Sequence, residues 1–186
     1  MDVLEAIRTR RSIGKVDGEV TAEDLRALVE AALCAPNHKL TDPFRFIALR
    51  GEARARLGAA WGAIVALMTP PPGVEAEAFI AKEARKPLRA PLLLVAVTRV
   101  ETDPVVAEED AAATAAAIQN VLLAAHGLGL GAIWRTGAMV RDPAVAAHLG
   151  VAENERIAGI VYLGRPAMAP PASLPRDIDR HLTLIE

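Results

Sequence analysis

The stretch Gly127–Gly137 constrains the fold of this chain more than any other segment. Its glycines at positions 127, 129 and 131 resemble the phosphate-binding fingerprint of dinucleotide-binding folds, in which a strand precedes the glycines and a helix follows them. Here an alanine-rich helical run over 107–126 comes first, and the short apolar segment Ala132–Trp134 comes afterwards. The sequence therefore predicts a helix that turns into a strand, and this order argues against a Rossmann fold.

Apolar spacing and turn residues predict the other elements. Val3, Leu4 and Ile7 mark the inner face of a first helix that ends near residues 8–11, and Thr21 is suited to cap the start of the second. The later predicted elements are a strand over 44–49, a helix over 52–67, a helix over 75–86, a strand over 92–97, a helix over 143–149 and a strand over 157–163.

About four strands mixed with five or six helices favour an α+β fold, in which helices cover both faces of a mixed sheet. The proline-rich segments 70–73 and 166–175 predict a mobile surface loop and an extended surface segment. With 186 residues and no internal repeat, the chain is expected to form a single domain over 1–186. The helix over 107–126 is apolar nearly all round, so we expect it in the centre or at a subunit interface, and we expect a dimer.

Composition argues against several classes of partner and site. The net charge of −2 gives no indication of a nucleic-acid-binding surface. The apolar runs are too short to span a bilayer, the N-terminus lacks a signal-peptide pattern, and Cys34 is the single cysteine. We therefore expect a cytoplasmic protein without a disulfide. No metal site is expected, because no metal-ligand spacing links the four histidines. They are His38, His126, His148 and His181.

Three polar clusters interrupt this apolar chain, and the first is Arg10-Arg11-Ser12, just after the first helix. Two guanidinium groups and a hydroxyl within three residues can bind a phosphate through charge-assisted hydrogen bonds. The alternative is a solvated pair of arginines at a helix C-terminus, where the helix dipole stabilises positive charge.

The second cluster follows the second helix, where Pro36 breaks the helical run and Asn37, His38 and Lys39 come next. A loop fixed by proline can present these donors to a planar ligand, although a lone histidine on a loop is more often simply exposed. Cys34 and His38 could also act as a nucleophile and its base. Against that hypothesis, no third orienting residue stands out, and a single cysteine at a helix end is usually a packing residue.

The third cluster is Trp134-Arg135-Thr136, at the far end of the strand that follows the glycines. Arg135 can stabilise negative charge on a ring, and Thr136 can form a hydrogen bond with a ring heteroatom. Trp134 could instead be a core anchor, since only 3% of the residues are aromatic. The sequence has no motif for a catalytic nucleophile or acid–base pair, so no side chain is predicted to be catalytic itself.

Taken in order, these segments resemble the FMN-dependent nitroreductase family. The resemblance covers nearly the whole chain, and the details PNHK and WRTG are most similar to the short members of the family. After the Ala35-Pro36 break this chain reads Leu40–Phe44, where many members carry an Asn and a Gln-Pro-Trp sequence, so the substrate range stays open. The carrying motifs are Arg10-Arg11-Ser12, Ala35-Pro36, Pro43-Phe44-Arg45-Phe46, Gln119-Asn120 with Gly127-Leu128-Gly129, and Leu163-Gly164-Arg165-Pro166.

The resemblance implies an α+β sandwich and an obligate homodimer with two FMN sites at the dimer interface. Residues 10–12 would hold the FMN phosphate and ribityl chain, and residues 134–136 would close the other side of the flavin. His38 and Cys34 would reach the flavin from the partner subunit, with Lys39 as a neighbour. The nicotinamide of NAD(P)H would bind near Ala124, Ala125, His126, Gly127, Leu128 and Gly129.

The implied activity is hydride transfer from NAD(P)H through FMN to a nitroaromatic, a quinone or a similar small electrophile. Both substrates would use one slot in turn, which predicts ping-pong kinetics. Two alternatives stay open. One is a specialised flavoprotein, such as a dehydrogenase or dehalogenase that acts on one metabolite, and the other is a flavin-binding module without turnover. No nucleic-acid or membrane partner is expected.

Overall fold

The computed structural model describes residues 1–173 and 176–186, and it has the α+β architecture that the sequence predicts. Within these ranges the helices and strands are α1 (Val3–Thr9), β1 (Val16–Asp17), α2 (Ala22–Leu33), β2 (Phe44–Leu49), α3 (Glu52–Val65), α4 (Ala76–Ala84), β3 (Leu92–Arg99), α5 (Pro104–Gly127), β4 (Gly131–Arg135), α6 (Pro143–His148) and β5 (Glu155–Pro166). Short 3-10 turns lie at His38–Leu40, Lys86–Arg89, Met139–Arg141 and Ile178–Arg180.

Polar side chains cap α2 and α5 and set where these two helices begin. The Thr21 hydroxyl accepts a hydrogen bond from the Asp24 backbone N–H, and the Asp24 carboxylate accepts one from Thr21, so α2 begins with the predicted cap. α5 begins at Pro104, three residues before the predicted start. The earlier start follows from Asp103, whose side chain caps the first turn, and from the suitability of proline for the first helical position.

The strands form one sheet in the order β1-β5-β3-β2, and β4 also pairs with β5. Every one of these pairings is antiparallel across the described ranges, so the sheet is antiparallel, whereas the sequence predicts a mixed sheet. The first seven residues of β3 are buried, as expected for a strand that is covered on both faces. The sequence does not predict β1, because two residues are too few to show an alternating pattern.

Helices cover both faces of the sheet, as predicted. On one face α2 and α5 pack against the strands through Leu28, Ile118 and Val121, and on the other face α3 and α6 pack through Leu57 and Val145. All five side chains are fully buried. The packed layers hold β4 and β5 in place, and Trp134 and Arg135 lie at the end of β4.

The junction between α5 and β4 forms as the glycine pattern predicts. The Leu128 N–H donates to the Ala124 carbonyl at 2.9 Å, and the Leu130 N–H donates to the Ala125 carbonyl at 2.8 Å. Gly129 has a φ of +70°, in the left-handed region that favours glycine. This residue therefore turns the chain from the helix into the strand.

The prediction that α1 buries an inner apolar face is wrong for the single chain. Val3, Leu4 and Ile7 are 67%, 57% and 53% exposed, and α1 has no buried residue. The helix lies at the surface beside the end of α5, where the Thr9 hydroxyl is 2.8 Å from Nε2 of His126. The helical spacing of these residues thus marks a face that is apolar but uncovered in the described part of the chain.

The two proline-rich segments lie outside the helices. Residues 70–73 form the surface loop between α3 and α4, as predicted. Of the predicted extended segment, Pro166 is the last residue of β5, residues 167–173 carry no helix or strand, and Leu174 and Pro175 lie outside the described residues. No helix within 1–173 or 176–186 combines the length and the apolar character that a bilayer crossing requires.

Candidate functional site

The predicted phosphate-binding residues lie where the end of α1 meets the end of α5. Arg10 and Arg11 line a cavity of about 220 Å³ together with His126 and Gly129 from the α5–β4 junction, and we call this space the arginine cavity. Ser12 is exposed and does not line it. The other lining residues are Thr9, Ile13, Leu122, Leu130, Ala132, Pro166 and Pro170.

The two arginines differ in their hydrogen bonds. Arg11 Nη1 donates to the Arg8 carbonyl at 2.7 Å and to the Arg10 carbonyl at 2.8 Å, so this guanidinium caps the last turn of α1. Arg10 Nη1 is buried and has no acceptor among the described residues. A buried cationic donor without an acceptor is unfavourable. The arginine cavity is therefore suited to an anionic group that accepts a hydrogen bond from Arg10.

Trp134, Arg135 and Thr136 line a second cavity, of about 560 Å³. We call it the aromatic cavity, because four of the six aromatic side chains of the chain line it. β4 connects the two cavities, since Ala132 lines the first and Ile133 lines the second. From its first to its last residue this strand spans roughly 13 Å. The four aromatic lining residues are Trp61, Phe79, Trp134 and Tyr162.

Arg135 is the positive charge at the end of β4. Its guanidinium carbon lies 5.4 Å from the centroid of the Tyr162 ring, and its Nε is buried without an acceptor in the described ranges. Burial raises the pKa of Tyr162 to about 12, so the phenol stays neutral at physiological pH. The aromatic cavity thus has a cation next to a neutral ring, with one guanidinium donor still free.

One of the two interpretations of Trp134 is that it anchors the core, and the structure does not support it. Its side chain packs against the backbone of Gly159 in β5, and the residue is 36% exposed. One part of the indole therefore has a fixed position, while another part faces the aromatic cavity and a neighbouring cavity lined by Thr98, Arg141 and Ile157.

The second predicted cluster, in the loop after α2, lies apart from the other two. Cys34, His38 and Lys39 line neither the arginine cavity nor the aromatic cavity. The Cys34 thiol donates to the Glu30 carbonyl at 3.4 Å, and His38 Nε2 lies 3.9 Å from a carboxylate oxygen of Glu109 on α5. The thiol and the imidazole therefore have different partners, and the hypothesis of a nucleophile with its base gains no support.

Hydrogen bonds hold the loop that carries His38 and Lys39. The Thr41 hydroxyl donates a hydrogen bond of 2.9 Å to Oδ1 of Asp110 on α5. Asp110 is only 3% exposed. Lys39 and Leu40 have φ values of 56° and 52°, in the left-handed region that such residues rarely adopt. The anchored loop thereby presents His38, Lys39 and Leu40 at the surface of the subunit.

The predicted nicotinamide stretch is divided between surface and core. His126 and Gly129 line the arginine cavity, whereas Ala125 is on the core-facing side of α5 and is fully buried. Leu128 is 39% exposed at the end of the helix. The structure thus brings Arg10, Arg11, His126 and Gly129 together in one cavity and places residues 134–136 in another.

Sequence reasoning missed several residues of the aromatic cavity. Trp61, Glu83, Lys86, Arg89 and Tyr162 line it, and they come from α3, α4, the turn after α4 and β5. Their spacing is that of ordinary helix and strand residues, so no motif marks them. One signal was present: the chain has two tryptophans and one tyrosine, and all three line this cavity.

Comparison with known proteins gives the chain a family. The family model described as "Nitroreductase family" matches residues 7–165. YdjA of Escherichia coli (strain K12), whose name gives a provisional NAD(P)H nitroreductase activity, is 34% identical over 178 residues, which cover 94% of this chain and 93% of YdjA. The predicted family resemblance is therefore confirmed.

Solved structures agree with this result. The nitroreductase-like family protein from Bacillus cereus has a TM-score of 0.87 and 28% identity, over 100% of this chain and 97% of that one. A nitroreductase from Bacteroides fragilis NCTC 9343, solved with bound FMN, has a TM-score of 0.75 and 25% identity, over the full length of both chains. Motif order, fold and both kinds of comparison lead to one conclusion: this chain belongs to the nitroreductase family.

Proposed function

We propose that this protein is an FMN-dependent oxidoreductase that takes hydride from NADH or NADPH and delivers it to a nitroaromatic, a quinone or a related electrophile. The observation that carries the proposal is Arg10 Nη1, a buried cationic donor without an acceptor among the described residues. It lies in a cavity at the start of β4, and a second cavity with aromatic walls lies at the end of the same strand. The FMN-bound relative from Bacteroides fragilis supports this choice of cofactor.

The residues present fit the chemistry of FMN. A phosphate can accept a charge-assisted hydrogen bond from Arg10. His126 lines the same cavity, and its Nε2 contacts the Thr9 hydroxyl. β4 spans roughly 13 Å from its first to its last residue, and it leads from the arginine cavity, which Ala132 lines, to residues 134–136. This length suits a sugar-alcohol chain between a phosphate and a ring. We assign the phosphate end of the site to the arginine cavity and the ring end to Trp134–Thr136.

The second subunit is part of the proposal. α1 leaves Val3, Leu4 and Ile7 exposed, and such a face on one short helix favours contact with another protein surface. Cys34, His38 and Lys39 line neither cavity of their own chain, and residues 38–40 lie on an anchored surface loop. We therefore propose a homodimer in which this loop contacts the flavin bound by the partner subunit.

When bound, FMN supplies the hydride chemistry, by accepting hydride from the reduced nicotinamide and giving it to the acceptor. The protein then needs to bind the cofactor, orient it and tune its reactivity. Arg135 places positive charge beside the ring end of the site, where it would stabilise negative charge on a reduced ring. Trp134, positioned by Gly159, supplies a flat surface for a planar group. No residue of the chain is assigned the role of nucleophile.

Steady-state kinetics of the FMN-loaded protein tests the activity and its order. NADH and NADPH are each varied at several fixed concentrations of a quinone such as menadione. Parallel double-reciprocal lines are expected, because donor and acceptor would occupy one slot in turn. Intersecting lines would require both substrates to be bound together, which contradicts the shared slot. FMN binding without any oxidation of NADH or NADPH would favour the flavin-binding module instead.

A further inference from the structure

We propose that the aromatic cavity is the acceptor site and that it selects a planar aromatic acid, a ring that carries a carboxylate. This inference rests on the proposed function, and it names the substrate class for the same site. The cavity lies at the end of β4, where the ring end of the cofactor site is assigned, and α3 and α4 supply its other walls.

The walls favour a flat, unsaturated ligand. Trp61, Phe79, Trp134 and Tyr162 all line the space, although aromatic residues make up only 3% of the chain. Aromatic side chains bind rings through stacked or edge-to-face contacts. A volume of about 560 Å³ lies within the range of pockets that hold small organic ligands.

The charges favour an anion. Glu83 and Lys86 form an ion pair with each other, so their charges compensate. Arg89 and Arg135 also line the cavity, and neither has a carboxylate within ion-pair distance in the described part of the chain. Arg89 is exposed and Arg135 is half-buried, which places one cation at the solvent side and one deeper in the site. A carboxylate can accept charge-assisted hydrogen bonds from guanidinium groups in two-pronged geometry.

Two buried donors indicate that a ligand completes the site. The indole Nε1 of Trp61 has no acceptor within the described ranges, and this residue is 4% exposed. Arg135 Nε is the second buried donor in the same situation. Buried N–H groups without acceptors are rare in folded proteins, and each one calls for a partner. Carboxylate or nitro oxygens of an acceptor in this cavity would supply two acceptors at once.

Ligand binding can be followed without turnover, because both tryptophans of the chain line the cavity. The FMN-loaded protein is titrated with benzoate and with benzamide, two rings of similar shape that differ in charge, while tryptophan fluorescence is recorded. We expect benzoate to bind at least tenfold more tightly than benzamide. Arg89→Met should remove most of this difference, and Trp61→Phe should weaken benzoate binding several-fold because the free indole donor is lost.

Arg85→Met is the matched control, since Arg85 is exposed near Arg89 but does not line the aromatic cavity. It should keep the preference for benzoate. In turnover, 4-nitrobenzoate should have a kcat/KM at least tenfold above that of 4-nitrobenzamide, and Arg89→Met should reduce this ratio towards one.

Equal affinity for benzoate and benzamide in the native protein would overturn the inference. Displacement of FMN by benzoate would also overturn it, because the cavity would then belong to the cofactor. Failure of the proposed function gives a different result: the protein would not take up FMN or oxidise NAD(P)H, while the fluorescence titration of the aromatic cavity could still be carried out.

Discussion

The indole ring of Trp134 occupies the space that a Cβ atom on Gly159 would need. Its Cδ1 atom lies only 2.6 Å from that position, nearer than real Cβ contacts allow. Gly159 lies in β5 opposite Ala96 of β3, next to a shift in strand register between Ala96 and Val97. The missing side chain in β5 therefore sets where Trp134 lies at the end of β4.

Gly159→Ala should displace Trp134, because the added methyl group and the indole cannot share one space. We expect a shift in tryptophan emission, weaker FMN binding, and a loss of about 1–3 kcal/mol in the free energy of unfolding. Fluorescence and denaturant unfolding measure these effects. Gly14→Ala is the control, since no atom of the described residues, apart from Gly14 and its two chain neighbours, lies within 4 Å of the Cβ position of Gly14. An unchanged emission spectrum in Gly159→Ala would show that Gly159 does not position the indole.

Arg10→Ala should weaken FMN binding by about tenfold to a hundredfold, because one charge-assisted hydrogen bond to phosphate is lost. Arg10→Glu should be more severe, since a carboxylate would repel the phosphate. Arg11→Ala should instead lower helix stability, because Arg11 caps α1. Calorimetric titration with FMN and with riboflavin, which lacks the phosphate, distinguishes the two roles. Arg56→Glu, on the exposed side of α3, is the charge-swap control. Native FMN affinity in Arg10→Glu would place the phosphate elsewhere.

The sequence predicts some parts of this site better than others, for physical reasons. Gly129 predicts the helix-to-strand junction, because the turn requires a left-handed φ and this conformation strongly favours glycine. The spacing of Val3, Leu4 and Ile7 predicts an apolar face, but it does not indicate whether the same chain or another protein covers that face. The role of Trp61 in the cavity could not be predicted, because a tryptophan at helical spacing has the pattern of an ordinary core residue. Its cavity depends on contacts between distant segments, which local patterns do not encode.

The contact between Arg45 and Glu155 joins β2 to the start of β5 and should make stability depend on pH. Two hydrogen bonds of 2.7 Å from Arg45 are the main cause that lowers the pKa of Glu155 from 4.5 to about 2. A carboxyl group whose pKa is lower in the folded state stabilises the fold above its unfolded pKa. This contribution is lost as the pH falls from 4.5 towards 2.

Glu155→Gln should therefore reduce the free energy of unfolding at pH 7 by about 1 kcal/mol, a value discounted for the partly exposed arginine. The difference between the native protein and the variant should shrink as the pH is lowered below 4.5. Urea unfolding across this range provides the measurement. Glu30→Gln is the control, because its partner Arg26 is 83% exposed and the pair should contribute little. A deficit in Glu155→Gln that stays constant with pH would argue against a charge effect.

The exposed face of α1 gives a test of the proposed dimer. Leu4→Glu combined with Ile7→Glu should yield monomers, because two carboxylates would have to be buried in the interface. Light scattering over a range of protein concentrations measures the mass. Arg56→Glu changes the net charge by the same amount at an exposed position of α3, and it should remain dimeric. A native protein that is already monomeric would overturn the dimer, and a dimeric double variant would place the interface away from α1.

The visible absorption spectrum of the purified protein, recorded before and after anaerobic addition of NADH or NADPH, tests the central claim most directly. A flavin spectrum that bleaches with either nucleotide is the predicted result, because the arginine cavity would hold the phosphate of FMN and the bound ring would accept hydride. A colourless protein that takes up no added FMN would contradict the account.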